Sequence, residues 1–238
     1  MISVEELVYE FKLALNKVTR QDNVDVPIED IIIYLNKAQM SWIKTKINPN
    51  NVYRSGFEAI RKRIDDVQIL KVGDIELKPV KTNDLLRKGY SCSLSDAKDY
   101  MFYISSYSVA NKNKCEVILT NDLVKSGDLT TKYLDVNHSP SFEWRTTLAT
   151  LGDDSLTVYT DGSFQIDKVF INYLRYPQKI DIQGYTKFDG TLSTDSDCEL
   201  PEYAKDGIVD LAVKFAAQAS DNQSQSVYAD DRLNKNSE

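Results

Sequence analysis

The chain carries one histidine, His138, in the run Val136-Asn137-His138-Ser139-Pro140, with Ser141 close behind. A base beside two hydroxyls invites a search for nucleophilic catalysis. Neighbours in sequence cannot reproduce base–nucleophile geometry, which draws its members from separate elements. The expectation is a solvated loop histidine. A zinc site needs several nitrogen or sulfur ligands at knuckle or helical spacing, and the chain has no second histidine, no C-x-x-C and no H-E-x-x-H. Asp195-Ser196-Asp197-Cys198-Glu199 alternates oxygen ligands as a calcium loop does, but it lacks the mid-loop glycine and the spacing to a bidentate Glu. It reads as a polar loop entering a helix. The nine glycines are scattered, and none forms a phosphate-binding pattern. Arg61-Lys62-Arg63 is a basic cluster that Asp65-Asp66 neutralises at once, so it reads as a solvated helix face. No grouping looks catalytic, and neither cofactor nor metal is expected.

The elements that would position any site are better signed. Ser3 and Glu6 form a capping box ahead of the apolar stripe Leu7, Val8, Phe11, Leu15 and Val18, which predicts a first helix. Pro27 suits a first helical position, and Ile28, Ile31, Ile32, Leu35, Ala38, Trp42 and Ile43 predict a second. These two are expected to pair antiparallel, each covering the other's stripe. Ser55 and Glu58 suggest a third, shorter helix running to Val67. From about Ile69 the pattern turns to period two, with candidate strands at 75–80, 100–107, 115–120, 145–150, 156–160, 164–166 and 168–176. Asp161-Gly162 reads as a hairpin turn. Leu200-Pro201-Glu202 opens a last helix whose face carries Ala204, Ile208, Leu211, Ala212, Phe215 and Ala219. The stretch 220–226 is too polar to bury itself, and Val227, Tyr228 and Leu233 follow as isolated anchors.

With 238 residues the chain can bury a core without disulfide or metal support. Three well-separated cysteines, Cys92, Cys115 and Cys198, predict free thiols in a reducing compartment. The start lacks the pattern of a signal peptide and no segment is apolar enough to span a membrane, so a soluble protein made in the cytosol is expected. From Asp189 onward eleven acidic residues face four basic ones, an excess equal to the whole net charge of −7. Such a surface repels phosphate and cannot grip nucleic acid.

Two parts of the chain resemble the tail adaptors, or head–tail connectors, of short-tailed bacteriophages, the tail tubular protein A class. One is the helical opening, with Val26-Pro27-Ile28-Glu29-Asp30 starting its second helix. The other is Ile171-Asn172-Tyr173-Leu174-Arg175-Tyr176-Pro177, the acidic loop, and Leu200-Pro201-Glu202-Tyr203-Ala204 running into Ile208-Val209-Asp210-Leu211-Ala212. The Asn-, Lys-, Asp- and Tyr-rich style also resembles virion ring proteins of crAss-like phages.

The resemblance implies an α+β fold: a helical bundle from the N- and C-terminal segments with an inserted antiparallel β unit. It implies a helical adaptor core over 1–68 plus 168–220, a β-rich insertion over 69–167 and a docking tail over 221–238. It implies a structural virion protein at the head–tail junction or tail, forming a ring, expected to be dodecameric, that joins portal to tail. Its partners would be the portal protein, neighbouring copies of itself and further tail or ring proteins, with DNA only as passing cargo and no membrane. Portal-docking candidates are Val227, Tyr228, Arg232 and Leu233; ring-packing candidates are Ile31, Trp42, Ile208, Leu211 and Phe215. The alternative expectation is a phage adhesin or glycan-binding tail module using the Tyr-rich β unit.

Overall fold

A computed structural model describes residues 1–18, 26–47, 66–82, 87–187 and 189–219. The predicted third helix, the Arg61-Lys62-Arg63 cluster and the tail with Val227, Tyr228, Arg232 and Leu233 lie outside the described residues, apart from the last few positions of that helix. The chain forms two compact units, 1–69 with 177–238, and 70–176.

In the first unit, α1 (Val4–Val18) and α2 (Ile28–Ile47) bury the stripes that their periodicity announces, with Phe11, Ile31, Leu35 and Ile43 fully enclosed. They do not form the expected mutually covering pair. Each packs mainly on the C-terminal helix Lys205–Ala219, designated α4 because a short helix precedes it in the sheet unit, and the two touch each other little. The alanines and Gly207 of α4 permit that close approach. A Cβ on Gly207 would stand 3.0 Å from Nε1 of Trp42, a ring that is itself buried. Gly207→Leu is therefore expected to cost about 1–3 kcal/mol by overpacking, despite leucine's better helix propensity. Urea unfolding of the two proteins measures it, and equal midpoints would rule out this contact.

The second unit is one eight-stranded sheet in the order β1-β8-β4-β5-β6-β7-β3-β2. Its strands are β1 (Lys71–Leu77), β2 (Pro79–Lys81), β3 (Lys88–Ser93), β4 (Tyr100–Lys112), β5 (Cys115–Leu123), β6 (Thr146–Leu151), β7 (Ser155–Thr160) and β8 (Gln165–Arg175). The outermost strands, β1 and β2, are consecutive in the chain and separated by Lys78 alone. The chain thus leaves β8 and joins β3 within a single bend, and β2 also lies against β8. This device brings the two edge strands close in the chain without pairing them to each other. Pro79 sits at the bend, where a missing N–H costs least. Gly162 takes φ +85° in the predicted β7–β8 turn, and the Asp161 carboxylate accepts from the amide and hydroxyl of Ser163.

Two expectations are corrected. A helical bundle with an antiparallel insertion does not describe this chain: its largest element is the sheet, and the sheet is mixed, because β5 and β6 run parallel. Parallel neighbours require a crossover, here the stretch 124–145 with α3 (Leu129–Leu134). The second correction concerns 168–176, assigned from sequence to the helical core. Strand β8 pairs with the edge strand β1 and with the long β4, so it belongs to the sheet, and the units divide at Pro177.

Candidate functional site

His138 caps nothing catalytic. Its Nδ1 meets Asp135 Oδ2 at 2.7 Å with both side chains exposed. The Asn137 amide first, and then His138, hold the Asp135 carboxyl below its ordinary range. Ser139 and Ser141 turn to local backbone and to Glu143 instead of to the imidazole. The buried thiols are equally inert: burial pushes Cys92 up to about 12 and Cys198 up to about 11, which keeps the nucleophilic thiolate unpopulated. Among the described residues no group of three or more His, Cys, Asp or Glu could hold a metal ion, and no helix is long and apolar enough to cross a membrane.

The acidic run at 195–199 has a different role from ligand binding. Its three carboxylates each accept a backbone amide from a separate segment. Asp195 takes Gln183 N at 2.7 Å, Asp197 takes Val4 N at 3.0 Å, and Glu199 takes Gln178 N at 2.8 Å. Asp197 caps α1 from 193 residues away. Ile2 and Cys198 exchange backbone bonds beside that cap, at 2.9 and 3.0 Å, so the chain's start is stitched to the loop before α4.

Against this scaffold the loop after Pro177 folds back on itself through the bridges Asp181–Ser196 and Thr186–Leu192. Asn36 pins it to α2, its amide group giving to Ile180 O at 2.8 Å while its oxygen accepts Ile180 N at 2.9 Å. Between α2 and the loop lies an open cleft of about 690 Å³. Ile32, Ile33 and Ile180 supply its apolar floor, and Glu29, Lys187 and Asp195 part of its rim. Asp181 organises the far wall. Its carboxylate accepts Tyr185 OH at 2.7 Å, Ile182 N at 3.0 Å and Thr194 N at 3.4 Å, and pairs with Lys187 at 2.7 Å. Burial alone would raise the Asp181 carboxyl; Lys187, Tyr185 and the Thr194 amide outweigh it and hold the group below its ordinary range. Burial and then the bond to Asp181 push the Tyr185 phenol up to about 12. Acid and phenol therefore each keep one ionisation state near neutrality.

Sequence reasoning singled out none of Asn36, Asp181, Tyr185 and Lys187. Asn36 carried a faint signal, as an amide beside the apolar stripe of α2. Of the ring-packing candidates, Ile31, Trp42 and Ile208 are buried in this chain's own helical unit. Hydrophobicity marked them for burial, and the monomer itself supplies the cover. Leu211 and Phe215 are half-buried, and Lys37 Nζ lies 4.4 Å from the centroid of the Phe215 ring. Among the described residues, α1 instead exposes Tyr9 and Leu13, and α2 exposes Ile33. In the sheet unit Trp144 is 83% exposed at the tip of a turn closed by paired backbone bonds between Ser141 and Thr146. The chain matches no family model and no curated protein closely enough to be related by sequence.

Proposed function

We propose that this chain is a structural protein of a bacteriophage virion, a ring-forming adaptor that joins the portal to the tail and continues the DNA channel. One observation carries the reading. The first and the last described helices are knit into a single helical unit, through α4 on α1 and α2 and through Ile2 on Cys198, and 19 residues outside the described ones follow Ala219 in the sequence. A helix anchored in this way supports an attachment role for the residues that follow it in the sequence. The carboxylates that could perform chemistry hold backbone amides instead. A closed ring needs two unlike patches that meet between copies; exposed Tyr9 and Leu13 on α1 offer one, and Trp144 on the sheet offers another.

The test mixes the protein with a portal ring and images the product. Tyr228→Ala combined with Leu233→Asp is expected to lower portal occupancy at least tenfold, about 1.4 kcal/mol, while leaving circular dichroism unchanged. Unaltered occupancy would overturn the docking assignment.

The alternative, a glycan-binding tail module, has Trp144 in its favour, because an exposed ring on a stiff turn suits stacking against a sugar. It requires that Trp144→Ala abolish binding to host polysaccharide while portal docking never occurs.

A further inference from the structure

The longest strand of the sheet is paired on both sides along only part of its length. Strand β4 pairs with β8 from Tyr100 to Asn111, but with β5 only from Tyr107 to Lys112. Beyond Thr120, β5 leaves it and follows β6 as far as Leu123. Among the described residues, the backbone of 100–105 therefore has no strand or bridge partner on the side away from β8. An open edge is a template for another strand, and proteins blunt such edges with charge or proline. The run from Tyr100 to Ala110 holds neither. Phe102 and Ile104 lie on this edge, 48% and 41% exposed.

Two bulges select the partner. The register against β8 shifts between Tyr100 and Phe102, and again between Tyr103 and Ser105. Bulges bend a strand and raise its twist, so a regular strand fits this edge poorly. A second copy of β4, turned about a two-fold axis, carries the same bend at the same place. With the axis at Tyr103, Phe102 stands opposite Ile104 of the other copy, and does so twice. Each is an aromatic side chain facing a β-branched one, a favourable cross-strand pair.

We propose that two copies of this chain pair antiparallel through 101–105 of β4 and so join their sheets into one. The contact covers Phe102 and Ile104 and supplies partners to the open backbone. One pair of strands buries less than the about 1,200 Å² of a standard interface, so the dimer is weak and depends on concentration. It closes at two copies, and is separate from the two unlike patches that a ring requires.

Sedimentation equilibrium of the full chain tests it, in about 0.5 M salt to screen Asp122, whose charge acts on Tyr103. Ile104→Lys is expected to raise the dimer dissociation constant about tenfold, because a charge on the edge opposes pairing. Ile118→Lys, on the neighbouring β5 and equally open to solvent in type, should leave it unchanged. A chain that stays monomeric up to about 1 mM overturns the proposal, and so does equal weakening by both substitutions or none by Ile104→Lys. The register is read with Cys115, the exposed thiol, replaced by serine. Phe102→Cys chains mixed with Ile104→Cys chains are expected to form the mixed disulfide several-fold faster than either forms its own. The absence of that preference also overturns it. No portal is present in these measurements, so their outcome is independent of the adaptor reading.

Discussion

Asn121→Leu is expected to destabilise the sheet unit by about 2–4 kcal/mol, although leucine matches asparagine closely in size. Asn121 is buried and serves three hydroxyls at once. Its Oδ1 accepts from Ser108 Oγ at 2.8 Å and Thr147 Oγ1 at 2.6 Å, and its Nδ2 donates to Ser106 Oγ at 3.1 Å. Ser106, Ser108 and Thr147 are themselves buried. Leucine would leave Ser108 Oγ without a partner. Ser106 keeps Tyr103 OH at 2.9 Å, and Thr147 keeps a long contact to Thr120 O at 3.3 Å. One full orphan and two weakened groups set the size of the loss, since each unsatisfied buried polar group costs about 1–3 kcal/mol. The network joins β4, β5 and β6, and so it fixes the register of the parallel pair that a local turn cannot set. Adding Ser108→Ala to Asn121→Leu should recover about 1 kcal/mol or more, because the orphan disappears. Chemical unfolding of the single and double variants decides it: a loss under about 0.5 kcal/mol for Asn121→Leu would refute the network's importance.

The elements that the sequence made legible are those whose signal is local. The stripe Leu7, Val8, Phe11 and Leu15 repeats at helical spacing, and so does Ile31, Leu35, Ala38 and Trp42; both became buried helix faces. The pairing of those faces was not legible. A stripe records that a side is covered, and the cover for both α1 and α2 proved to be a helix nearly two hundred residues later. The same limit explains the misplaced 168–176. Val169, Ile171 and Tyr173 alternate as a strand should, but only the pairings to β1 and β4 show which unit the strand belongs to. The bend at Lys78-Pro79 that joins the sheet's edges leaves merely a proline in the sequence, and the parallel pair leaves nothing.

The cleft was the least legible feature for a related reason. Asp195, Asp197 and Glu199 find their amides 12, 193 and 21 residues away, and Asn36 finds Ile180 at a separation of 144. No spacing rule connects partners at such distances. A motif search looks for ligands that converge on an ion, whereas these carboxylates diverge toward separate strands of backbone. The hydrophobicity that singled out Ile31, Trp42 and Ile208 is spent in the core of the helical unit, where all three are buried.

Asp181 links this geometry to pH, and Asp181→Ala is expected to loosen the wall of the cleft by about 2–3 kcal/mol of local stability. The carboxylate is almost enclosed, with 9% of its side chain exposed, and it holds a phenol and two amides besides Lys187. Lys187 is over a third exposed, so solvent screens that pair and the hydrogen bonds carry most of the effect. The direction with pH follows from the two shifts. Asp181 titrates below its ordinary 3.8 when folded, so its contribution is present above that value and is lost as pH falls through the folded pKa. Tyr185 titrates at about 12 instead of 10.0, so its contribution is present below pH 10 and is lost as pH rises toward 12. The wall should therefore hold constant stability from about pH 4 to pH 10 and open at both extremes. Amide exchange across 181–194 measures the opening, with wild type showing both limbs. Tyr185→Phe should lose the alkaline limb and keep the acid one. Asp181→Ala should lose the acid limb and keep a smaller alkaline one, since burial, the larger cause of the phenol's shift, remains. An Asp181→Ala protein that retained the acid limb would show that another group governs the cleft.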